Sequence, residues 1–280
     1  PDLKAQGREL ADTFTLIGHF CAGYKEISRH PELPQSGPFG DYLYDLEVRA
    51  ANRPDCLCYV GLARDIAAYY KLNLVLPHYP DDSVNSSLPA EKINITVSSP
   101  ELVKTLRACN ISNLTIKPSP AWLQTLLELH NINPVNNLVD LTNYIMLLWG
   151  IPSHAFDAKK INNSLDWCTS NPGETVTTFD GTELALSNNL VIKSGDKIVS
   201  ISSIGGNNSG IDENSTETIV EIAVYDPIKV HTDNREHSIQ TEAGQRLEKQ
   251  LSPTVVLPAF YHLQKLIVSI CGGAITTHPF

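Results

Sequence analysis

Apolar positions in the first half of the chain recur mostly at helical spacing. Between residues 54 and 70, Leu57, Val60 and Ala63 begin such a repeat, and Pro54 suits a first helical turn because its missing N–H costs nothing there. Ser-Pro pairs are start signals and a glycine followed by proline is a stop signal. These patterns predict helices over residues 5–16, 54–70, 99–109, 120–129 and 135–149, strands over 41–48, 92–97 and 113–117, and loops over 28–40 and 77–91.

The period changes towards two from about residue 172 onwards. Residues 175–179 and 183–186 flank Asp180-Gly181, which predicts a hairpin on a type I′ turn. Further strands are predicted over 190–193, 198–201 and 218–224, and helices over 242–250 and 253–270. Strands mixed with helices, with hairpins in the second half, predict an α+β fold with a mixed β-sheet and packed helices.

Composition narrows the function classes. The chain has 280 residues, with 31 acidic and 21 basic side chains and a formal charge of −10. This balance argues against a protein that coats nucleic acid through its overall field, although it permits a small contact to one RNA end. No window approaches 18 uninterrupted apolar residues and no basic-then-apolar leader is visible, so we expect neither a spanning helix nor a signal peptide.

The six cysteines do not form a recognisable metal-binding pattern. Cys56 and Cys58 are a close pair, but no second pair completes a zinc site. We therefore expect reduced thiols in a cytoplasmic protein, with no metal site.

Polar residues interrupt three apolar segments, and periodicity leaves their roles open. Asn136, Asp140 and Asn143 share one helical stripe, which is either a water-facing surface or a buried set that needs partners. A lone histidine such as His154 is more often structural or solvent-facing than catalytic. Glu221 lies in an apolar strand, where it either points to a wet face or is buried and binds a hydroxyl or amine.

Eleven runs along the chain carry a family resemblance, because they occur in one family's order and spacing. They are residues 40–47 (GDYLYDLE), 52–56 (NRPDC), 61–64 (GLAR), 119–123 (SPAWL), 135–146 (VNNLVDLTNYIM), 152–157 (PSHAFD), 178–181 (TFDG), 204–206 (IGG), 221–227 (EIAVYDP), and 241–243 (TEA) with 246–248 (RLE). In these runs the sequence resembles the β subunit of bacterial-type phenylalanyl-tRNA synthetase, from about residue 8 to residue 273.

The resemblance implies a fragment of that subunit and a division of its residues. Residues 1–39 correspond to the end of the N-terminal module and a linker, 40–227 to the editing module, and 228–280 to a helical segment leading to the next module. The implied partners are the α subunit, in a heterotetrameric holoenzyme, and the 3′ end of tRNA(Phe). ATP and magnesium serve the synthetic site on the α subunit, so no cofactor is expected in this fragment.

Editing has a physical rationale in this family. An apolar synthetic pocket that selects phenylalanine rejects the added hydroxyl of tyrosine poorly. A second pocket that hydrogen-bonds this hydroxyl admits tyrosine, whose mischarged ester is then hydrolysed. The resemblance places Glu221 at the phenolic hydroxyl and Thr142, Asn143 and His154 at the ester. Four further residues correspond to the pocket wall or to places where backbone approaches the ligand, namely Thr241, Ala243, Gly205 and Gly206.

Departures from the family pattern support a rival interpretation. Asn133 stands where the family usually has arginine before proline, Ser202 where it has glycine, and Gln124-Thr125 where an arginine is expected after Trp122. A non-catalytic module that helps to assemble the synthetase and hold tRNA, with a degenerate pocket, is therefore the alternative. A free-standing editing protein is a third possibility.

Overall fold

A computed structural model describes residues 53–76, 93–277 and 280, together with two short strands that pair antiparallel, β1 (Lys25–Glu26) and β2 (Tyr42–Leu43). The predicted helix over 5–16 and the predicted loops over 28–40 and 77–91 lie outside these residues. The predicted strand over 41–48 is described only at its second and third residues.

The remaining elements alternate helical and extended segments. The helices are α1 (Tyr59–Tyr70), α2 (Ala121–Leu129), α3 (Asn137–Trp149), α4 (Pro227–Glu236), α5 (Glu242–Leu247) and α6 (Val256–Cys271), with short 3₁₀ turns at Pro54–Cys56 and Pro253–Val255. The strands are β3 (Asn94–Val97), β4 (Val103–Ser112), β5 (Ser153–Asp157), β6 (Ser164–Thr169), β7 (Glu174–Thr177), β8 (Glu183–Leu186), β9 (Leu190–Ser194), β10 (Lys197–Ile201), β11 (Ile204–Gly205), β12 (Glu217–Tyr225) and β13 (Ala274–Ile275).

Two larger sheets contain nine of the strands from β3 to β13, while β7 and β8 form a separate two-stranded sheet. A four-stranded antiparallel sheet has the order β13-β4-β12-β5. A five-stranded sheet has the order β11-β10-β9-β6-β3, in which β3 and β6 are parallel and the other pairs are antiparallel. The α+β fold with a mixed sheet is therefore confirmed.

The four-stranded sheet is covered on both faces. On one face α6 packs against β4 and β12, and Gln264 donates to the Cys109 sulfur at 3.0 Å. On the other face the five-stranded sheet approaches, and the indole N–H of Trp167 donates to the Tyr225 hydroxyl at 3.1 Å. Because of this double cover, β12 is buried continuously from Thr218 to Tyr225, as in a strand at the centre of a layered core.

The polar stripe of α3 is largely structural. Asn136 caps the helix by accepting hydrogen bonds from two backbone N–H groups, and Gly150 ends it at a φ of 76°. Asp140 is fully buried and accepts from the Ser119 hydroxyl at 2.5 Å and from the Val135 N–H at 2.8 Å. The interpretation of Asp140 as water-facing is therefore wrong, because its carboxylate holds the preceding loop on the helix.

Long-range pairing overrides two local predictions. The predicted helix over 99–109 is wrong, because residues 103–112 form β4 and pair with β12 along nearly their whole length. The predicted strand over 113–117 is also wrong. Its backbone is bound instead by the Asn137 side chain, which accepts from the Lys117 N–H at 3.1 Å and donates to the Thr115 carbonyl at 3.0 Å.

The hairpin over 174–186 is confirmed, but its predicted type I′ turn is wrong. The last paired residues are Thr177 and Glu183, so the loop has five residues and not two. A type I′ turn also requires a positive φ at both central residues, and of the predicted pair Asp180-Gly181 only Gly181 has one, 88°. The described elements that the pattern missed are β1, β5, β6, β11, β13 and α4. The other predicted helices and strands within the described ranges are present, with shifted ends, while the domain bounds stay predictions.

In the part of the chain that the structure describes, one helical segment is long and apolar enough to cross a membrane by length and composition alone, Pro253–Cys271. In the structure α6 lies in the core, with Phe260, Leu263 and Ile267 buried against the four-stranded sheet and α3. A buried core helix meets the same criterion, so this segment is weak evidence for a membrane.

The Asp140 carboxylate offers a direct test of this architecture. In Asp140→Ala the Ser119 hydroxyl and the Val135 N–H lose their acceptor, and we expect the free energy of unfolding to fall by about 1–3 kcal/mol. Urea denaturation measures this change. Asp196→Ala, in an exposed turn, is the matched control and is expected to change stability by less than about 0.5 kcal/mol. Equal stabilities for the two variants would contradict the role given to Asp140.

Candidate functional site

Two predicted site residues face each other across neighbouring strands. His154 of β5 is the register partner of Glu221 of β12. Residues directly opposite in an antiparallel pair have Cβ atoms roughly 4.5–5.5 Å apart and project from the same face of the sheet. The pairing of β5 with β12 therefore brings the imidazole and the carboxyl together, although 66 residues separate them in the chain.

Both side chains lie on the face that meets the five-stranded sheet. Alternation along β12 puts Glu221 on the same face as Tyr225, which bonds to Trp167 of the five-stranded sheet. Gly205 of β11 lies against the other member of the pair, since a Cβ built on it would be 2.7 Å from His154 Cε1. The site thus lies between the two sheets, and the absence of a side chain at Gly205 makes room for the imidazole.

The pair carries unsatisfied hydrogen-bonding capacity. Glu221 is 6 % exposed, and its Oε2 has no hydrogen-bond partner among the described residues. His154 is partly buried and packs edge-on against Phe156, with ring centroids 4.4 Å apart, while its Nε2 is shielded from solvent and also unpartnered. Buried polar groups are nearly always bonded, so two adjacent exceptions mark a place prepared for a polar ligand or water.

Burial makes both groups electrically neutral at pH 7. Loss of solvation raises the pKa of Glu221 to about 8 and lowers the pKa of His154 to about 4, because in each case the charged form is disfavoured. A protonated carboxyl can donate and accept hydrogen bonds, and a neutral imidazole offers one donor and one acceptor. The site suits an uncharged hydroxyl, a water molecule or an ester better than an ion.

Thr241 joins the wall of the site to α5. Its hydroxyl donates to the Ser203 carbonyl at 3.0 Å and accepts from the Gly244 N–H at 2.8 Å, which caps α5. The Ser203 hydroxyl in turn donates to Asn234 of α4 at 2.5 Å. These bonds hold the turn between β10 and β11, which carries Gly205 into place, while Ala243 is partly buried in the first turn of α5.

The backbone of Gly206, the second predicted glycine of the site, lies close to the neighbouring strand β10. A Cβ on it would lie 2.7 Å from the Val199 carbonyl oxygen of β10. It also forms an isolated bridge with Thr178. Its role in the structure is therefore to let β10, β11 and the hairpin loop pack closely.

The predicted ester-side residues of α3, Thr142 and Asn143, are connected to the site only indirectly. The Thr142 hydroxyl donates to the Val139 carbonyl at 2.6 Å within the helix. The Thr142 carbonyl accepts from Ser153 at 3.3 Å, beside His154. Asn143 is partly buried and makes no side-chain hydrogen bond to the described residues. To donate a hydrogen bond to a ligand, the Thr142 hydroxyl must therefore turn away from Val139, whereas it can accept one where it is.

Ser202 stands where the family pattern has glycine, and the sequence predicted no contact for its hydroxyl. It lies in the turn between β10 and β11, is 9 % exposed, and its hydroxyl has no partner among the described residues. The sequence does not show that the hydroxyl of a serine in a turn lacks a hydrogen-bond partner. Only the tertiary structure therefore identifies Ser202 as a candidate ligand contact.

Among the residues that the structure describes, one cluster of metal-binding residue types lies elsewhere, at Asp55, Cys56 and Asp65. Arg53 occupies both carboxylates, with N–O distances of 2.9 Å to Asp55 and 2.8 Å to Asp65. Burial and the neighbouring carboxylates raise the pKa of the Cys56 thiol to about 11, so the thiolate that a metal requires is disfavoured. The ion pairs account for this cluster without a metal.

Comparison with known proteins defines the class. Residues 103–272 match the B3/4 domain family, which is well over half of the chain and contains β4 to α6 with the whole of the site. The chain belongs to the B3/4 domain family.

Three bacterial relatives of the chain share the name phenylalanine–tRNA ligase beta subunit. The chain is 34% identical over 258 residues to that of Carboxydothermus hydrogenoformans, covering 87% of this chain and 32% of the relative. It is 30% identical over 253 residues to that of Fusobacterium nucleatum (86% and 32%) and 36% identical over 228 residues to that of Desulfotalea psychrophila (80% and 28%). The resemblance to this subunit is confirmed, and the chain spans about a third of the length of these relatives.

Among solved structures, an N-terminal fragment of the phenylalanyl-tRNA synthetase beta subunit from Pyrococcus horikoshii aligns with a TM-score of 0.47 at 13% identity. The alignment covers 96% of this chain and 70% of that one.

The pKa of Glu221 predicts a pH dependence of stability. In the unfolded chain this carboxyl ionises near its ordinary pKa of 4.5, whereas the folded protein retains the proton up to about pH 8. The folded state thus binds more protons in this window, so raising the pH favours unfolding. The depressed pKa of His154 acts in the opposite sense between about pH 4 and 6.5, as do His130 and His262. Above pH 6.5 the contributions of the histidines fade, whereas that of Glu221 persists to about pH 8.

We therefore expect the free energy of unfolding to fall by about 1 kcal/mol between pH 6.5 and pH 8. Urea titrations at several pH values measure the slope. Glu221→Gln has no titrating group at this position and is expected to remove the loss, whereas Glu213→Gln, at an exposed residue, is expected to keep it. A slope that survives in Glu221→Gln would show that the buried carboxyl is not its source.

Proposed function

We propose that the chain acts as the editing part of a phenylalanyl-tRNA synthetase β subunit and hydrolyses tyrosine that has been esterified to tRNA(Phe). The observation that carries this proposal is the adjacent pair of buried, neutral, unpartnered groups, Glu221 and His154. The names of its relatives support the setting. The proposed partners are the α subunit and the tRNA 3′ end, in the cytoplasm, with ATP and magnesium at a synthetic site outside this chain.

Glu221 is the proposed selector of tyrosine. Its desolvated carboxyl holds a proton at pH 7 and has a free Oε2, so it can bond to a phenolic hydroxyl without bringing a charge into the core. Phenylalanine has no hydroxyl and would leave this group unpaired, at a cost of about 1–3 kcal/mol. That difference corresponds to a preference of roughly 5- to 150-fold for tyrosine.

His154 is proposed to hold the attacking water beside the ester. With a pKa of about 4 the imidazole is a weak base at pH 7, so its main contribution is a hydrogen bond from a fixed position. Gly205 and Phe156 confine the ring on two sides. Thr142 and Asn143 lie on the helix next to the strand of His154 and are the proposed contacts on the ester side once the Thr142 hydroxyl leaves Val139.

A non-catalytic module is the second candidate. The internal bond of the Thr142 hydroxyl and the side chain of Ser202, where the resemblance expects glycine, favour it. Isothermal calorimetry separates the two proposals. Saturable binding of tyrosine supports a working pocket, whereas folded protein that joins the α subunit without binding tyrosine supports the architectural role.

Deacylation of tyrosyl-tRNA(Phe) and of phenylalanyl-tRNA(Phe) tests the selector. The wild-type protein is expected to hydrolyse the tyrosyl ester faster. Glu221→Ala is expected to lose about tenfold or more of this preference, as follows from one lost hydrogen bond to a buried group. Glu213→Ala removes an exposed carboxylate and should behave as wild type. Unchanged selectivity in folded Glu221→Ala would refute the assignment.

The position of the imidazole can be tested from both of its sides. His154→Ala removes the water contact, and Gly205→Ala places a Cβ within 2.7 Å of His154 Cε1, so the ring must move. We expect both variants to lower kcat by about 10- to 100-fold with little change in tyrosine affinity. Gly195→Ala is the control, since nothing lies within 4 Å of a Cβ there, although its positive φ costs some stability. If Gly205→Ala retained full activity, a fixed imidazole would not be required.

A further inference from the structure

An aromatic side chain is exposed at the edge of the site. Phe179 lies in the loop between β7 and β8 and is 67 % exposed, with no aromatic partner among the described residues. Single exposed apolar residues are common on protein surfaces, so exposure alone indicates nothing. Its attachment to the site distinguishes Phe179 from other exposed apolar residues such as Ile228.

The backbone of Phe179 is bonded to the strand that touches the imidazole. Its N–H donates to the Gly205 carbonyl at 3.0 Å, and Gly205 is the residue that lies against His154. The neighbouring residues add to this attachment. Thr178, which precedes Phe179, forms an isolated bridge with Gly206, which follows Gly205. The backbone of Phe179 is therefore held one hydrogen bond away from the residue that lies against the His154 imidazole.

The loop itself is held rigid by its own hydrogen bonds. The Thr178 hydroxyl donates to Asp180 Oδ1 at 2.5 Å, and the Thr182 N–H donates to the same oxygen at 3.1 Å. The Thr178 N–H also donates to the Thr182 carbonyl at 2.9 Å. The loop that carries the ring therefore loses little conformational freedom when a ligand covers it.

The charge of this edge favours a base over a phosphate. Asp180 is next to Phe179, and its hydrogen bonds from Thr178 and Thr182 hold its pKa below the usual range, so it is anionic at pH 7. The whole chain carries a formal charge of −10. Phosphate contacts require cations, whereas unstacked bases at RNA ends bind to exposed aromatic faces without any charge.

We propose that Phe179 is the platform on which the terminal base of the aminoacyl-tRNA stacks. This inference rests on the proposed function, which puts the ester beside His154. The ribose that carries the ester then continues past Gly205, and its base reaches the Phe179 ring. Phe179 is thus a substrate-binding residue that aligns the 3′-terminal nucleoside, while Glu221 selects the amino acid at the opposite end.

Kinetics with three variants test the platform. Phe179→Ala is expected to raise KM for tyrosyl-tRNA(Phe) about tenfold, the size of effect typical of one lost base–aromatic stack, while kcat and the affinity for free tyrosine stay near wild type. Phe179→Tyr keeps the ring and is expected to restore KM. Ile228→Ala removes an apolar side chain that is 76 % exposed elsewhere and should change nothing.

A spectroscopic measurement separates failure of the platform from failure of editing. A tRNA(Phe) with 2-aminopurine at its 3′ terminus loses fluorescence when this base stacks on an aromatic ring. We expect quenching with the wild type and with Phe179→Tyr, and none with Phe179→Ala. If the wild type hydrolyses neither ester, the proposed function fails. The fluorescence quenching then tests on its own whether the terminal base stacks on Phe179. Equal quenching by wild type and Phe179→Ala, or an unchanged KM, would overturn the platform.

Discussion

The antiparallel pairing of β5 with β12 is the interaction on which the site depends. β12 occupies an inner position of a sheet that is covered on both faces, and its register places Glu221 opposite His154. A slip of β5 by one residue would turn His154 to the other face, towards α6, and away from Glu221. The register is held because every position of β12 from Thr218 onwards is buried, so each alternative would expose apolar residues or bury different polar ones.

Two buried carboxyl groups show how the same fold treats structure and function differently. Asp140 has bonds from a hydroxyl and a backbone N–H, and the result is a fixed connection between a loop and α3. Glu221 is also buried but keeps one oxygen unpartnered, and burial raises its pKa and leaves it neutral. Unmet hydrogen-bonding capacity lowers stability, and a ligand that satisfies it can regain that free energy on binding. This contrast separates the candidate site from the scaffold.

Local patterns predicted α1, α2, α3, α5, α6 and the strands β7 to β10 and β12, because their apolar periods agree with their final environment. They failed at β4, where a helix start signal at Ser99-Pro100 was outweighed by pairing with β12, over a hundred residues later. They missed β5, since Ser153–Asp157 is short and mixes polar and apolar residues without a clear alternation. Sheet membership depends on distant partners, which a local window does not contain.

By itself, the sequence determined the α+β class, most helices, and, through the resemblance to a synthetase β subunit, which residues to examine. Only the tertiary structure decided that Glu221 faces inwards beside His154 and not towards water, that Asp140 is structural, and that the Thr142 hydroxyl is bonded to Val139. The physical reason is that periodicity shows which residues share a face, whereas burial, and with it protonation and free hydrogen-bonding capacity, depends on what packs against that face.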